Sequence, residues 1–272
     1  MTTLSLRKPL AFVVKDFTDD TSYKLAFALR FTSVFFHVFV FYFLSRLVDS
    51  VSIPQLEIYG SNYFGFVFIG IAFTRFFSSA INSLRSYIQE AQLNGTLEAL
   101  LATQTDVFTI TLSTIIYPFL FTCMEIVVMF SLGVLLLDLD LFWGNLPTAL
   151  VILILGLVSF FCIGIIAAGF IIVFKRGDPV TKIFILAGGL LGGELYPVSV
   201  LPEWGQKIAW LLPITHTLEG LRLALLSNYT LEQLAPRILT LLIFCVVLIP
   251  LSGFWFRWAI KRAKSDGSLS QY

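Results

Sequence analysis

The chain has 272 residues, 57% of them hydrophobic and 13% charged, with a mean hydropathy of +0.88 and a formal net charge of +1. Soluble domains carry about 25% charged residues, so a water-exposed globular protein is excluded. The near-neutral balance gives no ground for a nucleic-acid partner. No polar segment is long enough for a separate domain, and residues 1–272 read as one all-α integral membrane domain.

Residues 1–24 mix Arg7, Lys8, Lys15 and Lys24 with Leu10, Phe12, Val13, Val14 and Phe17. Such a basic amphipathic helix lies in the headgroup plane, here on the cytoplasmic face. It lacks the apolar core and small-residue cleavage site of a removable signal peptide. Residues 25–81 hold spans one (25–48) and two (63–81), joined by a short polar loop with Asp49, Pro54 and Glu57.

Residues 82–106 turn polar but keep Ile88, Leu93, Leu97, Leu100 and Leu101 at helical spacing, which predicts a surface helix or helix pair outside the membrane. Residues 107–195 hold spans three to five. The third (107–137) contains Pro118 and Glu125, and the fourth (146–174) contains Gly156, Gly164 and Gly169, small residues that let helices approach in lipid. The fifth (183–195) has about 13 residues, roughly 20 Å of helix, and barely crosses a hydrocarbon core of about 30 Å.

Residues 196–235 are expected to form a re-entrant hairpin on the outer side, punctuated by Pro197, Pro202 and Pro213. Span six (236–258) and a basic tail (259–272) with Lys261, Arg262 and Lys264 complete the chain. With both termini cytoplasmic, Arg85, Lys175, Arg176 and Lys182 join the basic ends inside, while Asp49, Glu57, Asp138, Asp140, Glu203 and Glu232 fall outside. That positive-inside bias fixes the expected six-span, multi-pass topology in the cell's inner (plasma) membrane.

Chemistry of its own is not evident. No GxxxxGK[ST] phosphate loop occurs, so the chain itself holds no ATP site. Cys123, Cys162 and Cys245 are isolated in apolar runs, and His37 and His216 lack ligand-like neighbours, so no metal is assigned. A membrane enzyme would need a constellation such as Thr215, His216 and Glu219, whose one-turn spacing equally suits the polar face of a hairpin. Of the charges within apolar runs, Arg30 and Arg75 are expected to snorkel to the inner interface. Glu125, at mid-span, must be paired, protonated or turned toward a polar cavity.

Three stretches resemble one known family, the permease subunits of type-2 ABC exporters. Glu90–Thr103 (EAQLNGTLEALLAT) is similar to its GTLE-x-LLATP stretch, with Gln104 where Pro is usual; Gly193–Trp204 (GELYPVSVLPEW) is similar to its G-x-x-x-P-x-x-x-LP-x-W signature. Leu212–Arg222 (LPITHTLEGLR) is similar to its NP-x-T-x-x-x-E-x-x-R signature, with Leu212 for Asn.

The resemblance implies a transporter subunit without catalytic residues. Coupling to a separate ABC ATPase would pass through Gln89, Glu90, Gly95, Thr96, Leu97, Glu98 and Leu101. Glu194, Pro197, Pro202, Pro213, Glu219 and Arg222 would form an outer hairpin and gate, whose charges should find each other, water or another subunit. Two ATPase copies would bind ATP and Mg, a second permease copy would complete the conduit, and lipid would surround both. The implied cargo is hydrophobic, lipid-like or drug-like; export of lipid-linked polysaccharide and ATP-independent secondary transport remain open.

Overall fold

A computed structural model describes residues 7–48, 54–60, 62–95, 107–137, 139–174 and 179–265. Among these the chain forms only helices and short 3₁₀ turns. The helices are α1 (Arg7–Ser22), α2 (Lys24–Val48), α3 (Tyr63–Leu93), α4 (Val107–Leu136), α5 (Leu146–Phe174), α6 (Pro179–Leu191), α7 (Glu203–Ala209), α8 (Pro213–Leu226) and α9 (Ala235–Ser265).

Among the described residues, five helices are long and apolar enough to cross a membrane: α2, α3, most of α4, α5 and most of α9. The expected fifth span corresponds to α6, whose 13 residues give roughly 20 Å. Its end is set by backbone chemistry. Gly192 N–H bonds back to the Gly188 carbonyl at 2.9 Å, and Gly193 takes φ +79°, a left-handed conformation that stops a helix.

Residues 82–93 do not begin a separate surface element. They continue α3 without a break, because Leu84, Ile88 and Ala91 form one stripe that packs with Ile171, Ile172 and Phe256 at the ends of α5 and α9. Leu93 lies off that stripe and is 77% exposed. α3 therefore has 31 residues, about 46 Å of rod. It exceeds the hydrocarbon thickness by roughly half.

α3 and α5 make the centre of the bundle. α5 packs on α3, α8 and α9, while α4 packs on α3 and α1. Phe66, Phe68, Phe73, Phe160, Ile152 and Ile163 are fully buried between them. α2 lies at the periphery, with Val34, Val38 and Ser45 its buried residues. The contact between α3 and α5 is tight at Gly164, where a Cβ would stand 2.7 Å from the Ala80 carbonyl oxygen. Gly164→Val should cost about 1–3 kcal/mol through overpacking, read as a lower Tm of the purified chain in detergent. An unchanged Tm would show that the helices separate freely at this point.

Candidate functional site

An ionised side chain away from water must find a partner or become neutral. The described arginines within the helical bundle therefore reveal where its polar structure lies. Arg75 on α3 meets Glu125 on α4, Nη1 to Oε2 at 3.0 Å, with the two side chains 23% and 13% exposed. Ser79, one turn along α3, donates to the Pro118 carbonyl at 3.4 Å. Arg30 donates to Asp20 at 2.7 Å, Tyr117 donates to the same carboxylate at 2.7 Å, and the guanidinium of Arg30 lies 5.0 Å from the Phe121 ring centre. Arg30 and Arg75 each pair with a carboxylate on a neighbouring helix.

These pairs border two polar cavities. The larger one, about 760 Å³ and beside α1, is faced by Lys15, Asp16, Asp19 and Asp20 of α1, by Glu90 of α3 and by Tyr117 and Glu125 of α4. The second, about 350 Å³, is faced by His37, Thr74, Arg75 and Glu194. Ser79, Thr122 and Glu125 belong to the walls of both. A third cavity, about 530 Å³, lies on the other side of α4 toward α5 and is almost wholly apolar, with Phe73, Phe130, Trp143 and Leu221 in its wall.

The outer signature residues form a different arrangement. Arg222 of α8, 2% exposed, donates Nε to the Phe66 carbonyl at 2.9 Å, Nη1 to the Gly193 carbonyl at 2.6 Å and Nη2 to the Glu194 carbonyl at 2.6 Å. Its guanidinium lies 3.5 Å over the Phe66 ring. A helix end leaves carbonyls without internal partners and carries partial negative charge, and a planar cation with five donors satisfies several at once. Arg222 thus ties the end of α6 to α3. Gly70 is required beneath it, since a Cβ there would collide with the Glu194 carbonyl and the Arg222 guanidinium.

Of the partners open to Glu194, Glu219 and Arg222, the chain itself supplies other groups than these three side chains for Arg222 and Glu219. Arg222 takes backbone carbonyls, and Glu219 pairs with Arg237 of α9 at 2.9 Å. The Arg237 guanidinium stacks 4.4 Å over the Trp210 ring, and His216 Nε2 lies 2.8 Å from the Trp210 carbonyl. Burial pushes the Glu219 carboxyl above the usual range, opposed by the Arg237 cation. Burial and the Glu219 charge likewise raise the Tyr59 phenol to about 12. Pro197 precedes the 3₁₀ turn Val198–Val200, Pro202 precedes α7, and Pro213 opens α8, where a missing N–H costs nothing.

At the opposite end of α3, Gln89 and Glu90 are exposed on its last turn. Gly95 follows the capping residue Asn94 with φ +66°, a conformation that glycine adopts readily. Thr96, Leu97, Glu98 and Leu101 lie outside the described residues.

Sequence reasoning named Arg75 and Glu125 separately but did not join them, and it missed Arg237 and the Tyr117–Asp20–Arg30 group. The available signal was a balance of sign: one carboxylate and one guanidinium set in neighbouring apolar runs.

Arg222→Ala should destabilise the purified protein by at least about 2 kcal/mol, because buried carbonyls lose their donors. Arg222→Lys should recover only part of the loss in thermal unfolding. Full recovery by Lys would mean that charge alone, and not the planar fork, holds this junction.

A family model described as ABC-2 type transporter matches residues 14–226. Among curated proteins none matches the chain.

Proposed function

Since this chain belongs to the ABC-2 type transporter family, we propose that it is the permease subunit of an ATP-driven exporter that moves a hydrophobic, lipid-like or drug-like substrate outward. Family membership and the apolar helices make it a multi-pass membrane transport protein. Permeases of this family typically work with an ATPase partner. Two separate ATPase subunits carrying ATP and Mg, and a second permease copy, are the partners of this reading. Its membrane is the cell's inner (plasma) membrane.

The observation that carries the mechanism is the unbroken α3. One end presents Gln89, Glu90 and Gly95 beside the segment similar to the family's coupling stretch; the other end carries Phe66 and Gly70, held by Arg222. A helix transmits displacement along its axis with little compression, because its hydrogen bonds run along that axis. Closure of the ATPase pair on ATP would push the inner end of α3. The rod would move Phe66 against α8 and the α6 turn, changing the outer junction. α5 and α9 would move with it, since all three share the apolar stripe at Leu84, Ile88 and Ala91.

Both termini and residues 85–103 lie in the cytoplasm in this reading, and residues 194–226 form the re-entrant outer hairpin. α6 and α8 are too short to span by themselves, and irregular backbone at membrane depth is tolerated where protein surrounds it. The intramembrane Arg75–Glu125 pair is the one observation favouring the rival reading, an ATP-independent carrier.

Cysteines at Glu57 and Asp140, both exposed, should label with a membrane-impermeant maleimide from outside intact cells. Labelling that requires lysis inverts the topology. The functional test is co-purification of an ATPase with the chain and substrate-stimulated hydrolysis in vesicles. Gly95→Val should keep the chain inserted and reduce coupled transport at least about tenfold, because a β-branched residue resists positive φ. Transport that runs without ATP, with no ATPase recovered, would replace the exporter with the carrier.

A further inference from the structure

The two polar cavities and the Arg75–Glu125 pair between them are not used by the coupling mechanism. The larger cavity is faced by five carboxylates, Asp16, Asp19, Asp20, Glu90 and Glu125, against Lys15 and Arg30. Both cations are engaged: Lys15 lies 3.4 Å from Asp16 and 3.2 Å from Asp19, and Arg30 lies 2.7 Å from Asp20. Glu90 makes no ion pair among the described residues. Among the described residues that face this larger cavity, on the cytoplasmic side in the proposed reading, the balance is negative, which attracts cations and disfavours anions.

Aromatic rings are interleaved with these carboxylates at Tyr87, Tyr117 and Phe121. The protein's own Arg30 already shows how a cation sits there, on Asp20 and over Phe121 at 5.0 Å. A volume near 760 Å³ is far larger than a metal ion needs, and among the described residues no group of carboxylates or imidazoles converges to ligate one. Its size is that of an organic molecule.

At the neck, Glu125 faces both cavities while Arg75 and Glu194 face the second. Arg75 therefore has two carboxylates along one cavity wall and is bonded to Glu125. We propose that the larger cavity binds the head group of a cationic amphiphile, that Glu125 is its counter-ion, and that Arg75 is a built-in placeholder cation which the substrate displaces toward Glu194. This deepens the exporter reading by naming its substrate class. An incoming ammonium or guanidinium replaces Arg75 on Glu125, so neither carboxylate is left unpaired. The apolar tail stays beside α2, whose Phe35, Phe36, Val40 and Phe43 are exposed on the surface of the chain. Anionic amphiphiles are rejected by the same carboxylates.

The test is binding of radiolabelled tetraphenylphosphonium to the purified full chain in nanodiscs, with tetraphenylborate, an anion of nearly the same shape, as the control. Wild-type protein should bind the cation saturably and at least about tenfold more tightly than the anion. Glu125→Gln should weaken cation binding about tenfold, whereas Arg75→Gln should tighten it about threefold by removing the competing cation. Because Glu125→Gln leaves a buried arginine unpaired, the exposed change Glu90→Gln serves as a second probe, with an expected loss of about twofold. Equal affinity for cation and anion overturns the proposal. So do equal losses in the Glu125 and Arg75 variants, the mark of a purely structural pair, or unaltered affinity in both carboxylate variants. The assay uses neither ATP nor an ATPase. Its failure leaves the exporter reading standing, and failure to recover an ATPase leaves the binding result standing.

Discussion

Charge inside an apolar medium is the constraint around which this molecule is arranged. Moving an ion out of water costs several kcal/mol even after relaxation, and the chain meets that cost differently at each depth. Beside α1, Arg30 and Tyr117 share the Asp20 carboxylate. In mid-bundle, Arg75 and Glu125 neutralise each other. At the α6–α8 junction, Arg222 takes three backbone carbonyls, and Glu219 takes Arg237. Each solution joins different elements, so polar pairing supplies helix-to-helix specificity that apolar contact in lipid does not.

α3 takes part in two of these ties. It carries Arg75, offers the Phe66 carbonyl to Arg222 and packs tightly on α5 opposite Gly164. Being buried along most of its length, it is the least able to move alone. A displacement applied at its inner end is shared at once with α5 and α9 through Ile88, Ile171 and Phe256. α4 is differently placed, with polar cavities on one side, an apolar cavity on the other, and Pro118 interrupting its hydrogen bonding. The contrast gives the bundle a stiff axis beside a looser helix.

The apolar runs were legible in the sequence to within a few residues for α2, α5 and α6, because length and hydropathy alone define them. The inner end of α3 was not. Residues 82–93 look polar because only one stripe, Leu84, Ile88 and Ala91, is covered, and what covers it comes from α5 and α9. A one-dimensional reading cannot supply that cover. The signature residues Glu194, Glu219 and Arg222 were singled out through resemblance, but their partners within the chain were not named, since a count of charges does not reveal that carbonyls just past the end of α6 converge on Arg222. Arg237 escaped notice for a related reason: at the start of a span it looks like an ordinary interfacial cation, and only the fold brings Glu219 to it.

The Asp20 carboxylate bears on how the protein is made. Its two donors emerge from the ribosome at very different times: Arg30 follows 10 residues later on the next helix, whereas Tyr117 is 97 residues away. The contacts that seat α1 against α4 therefore exist only once the middle of the chain has been made.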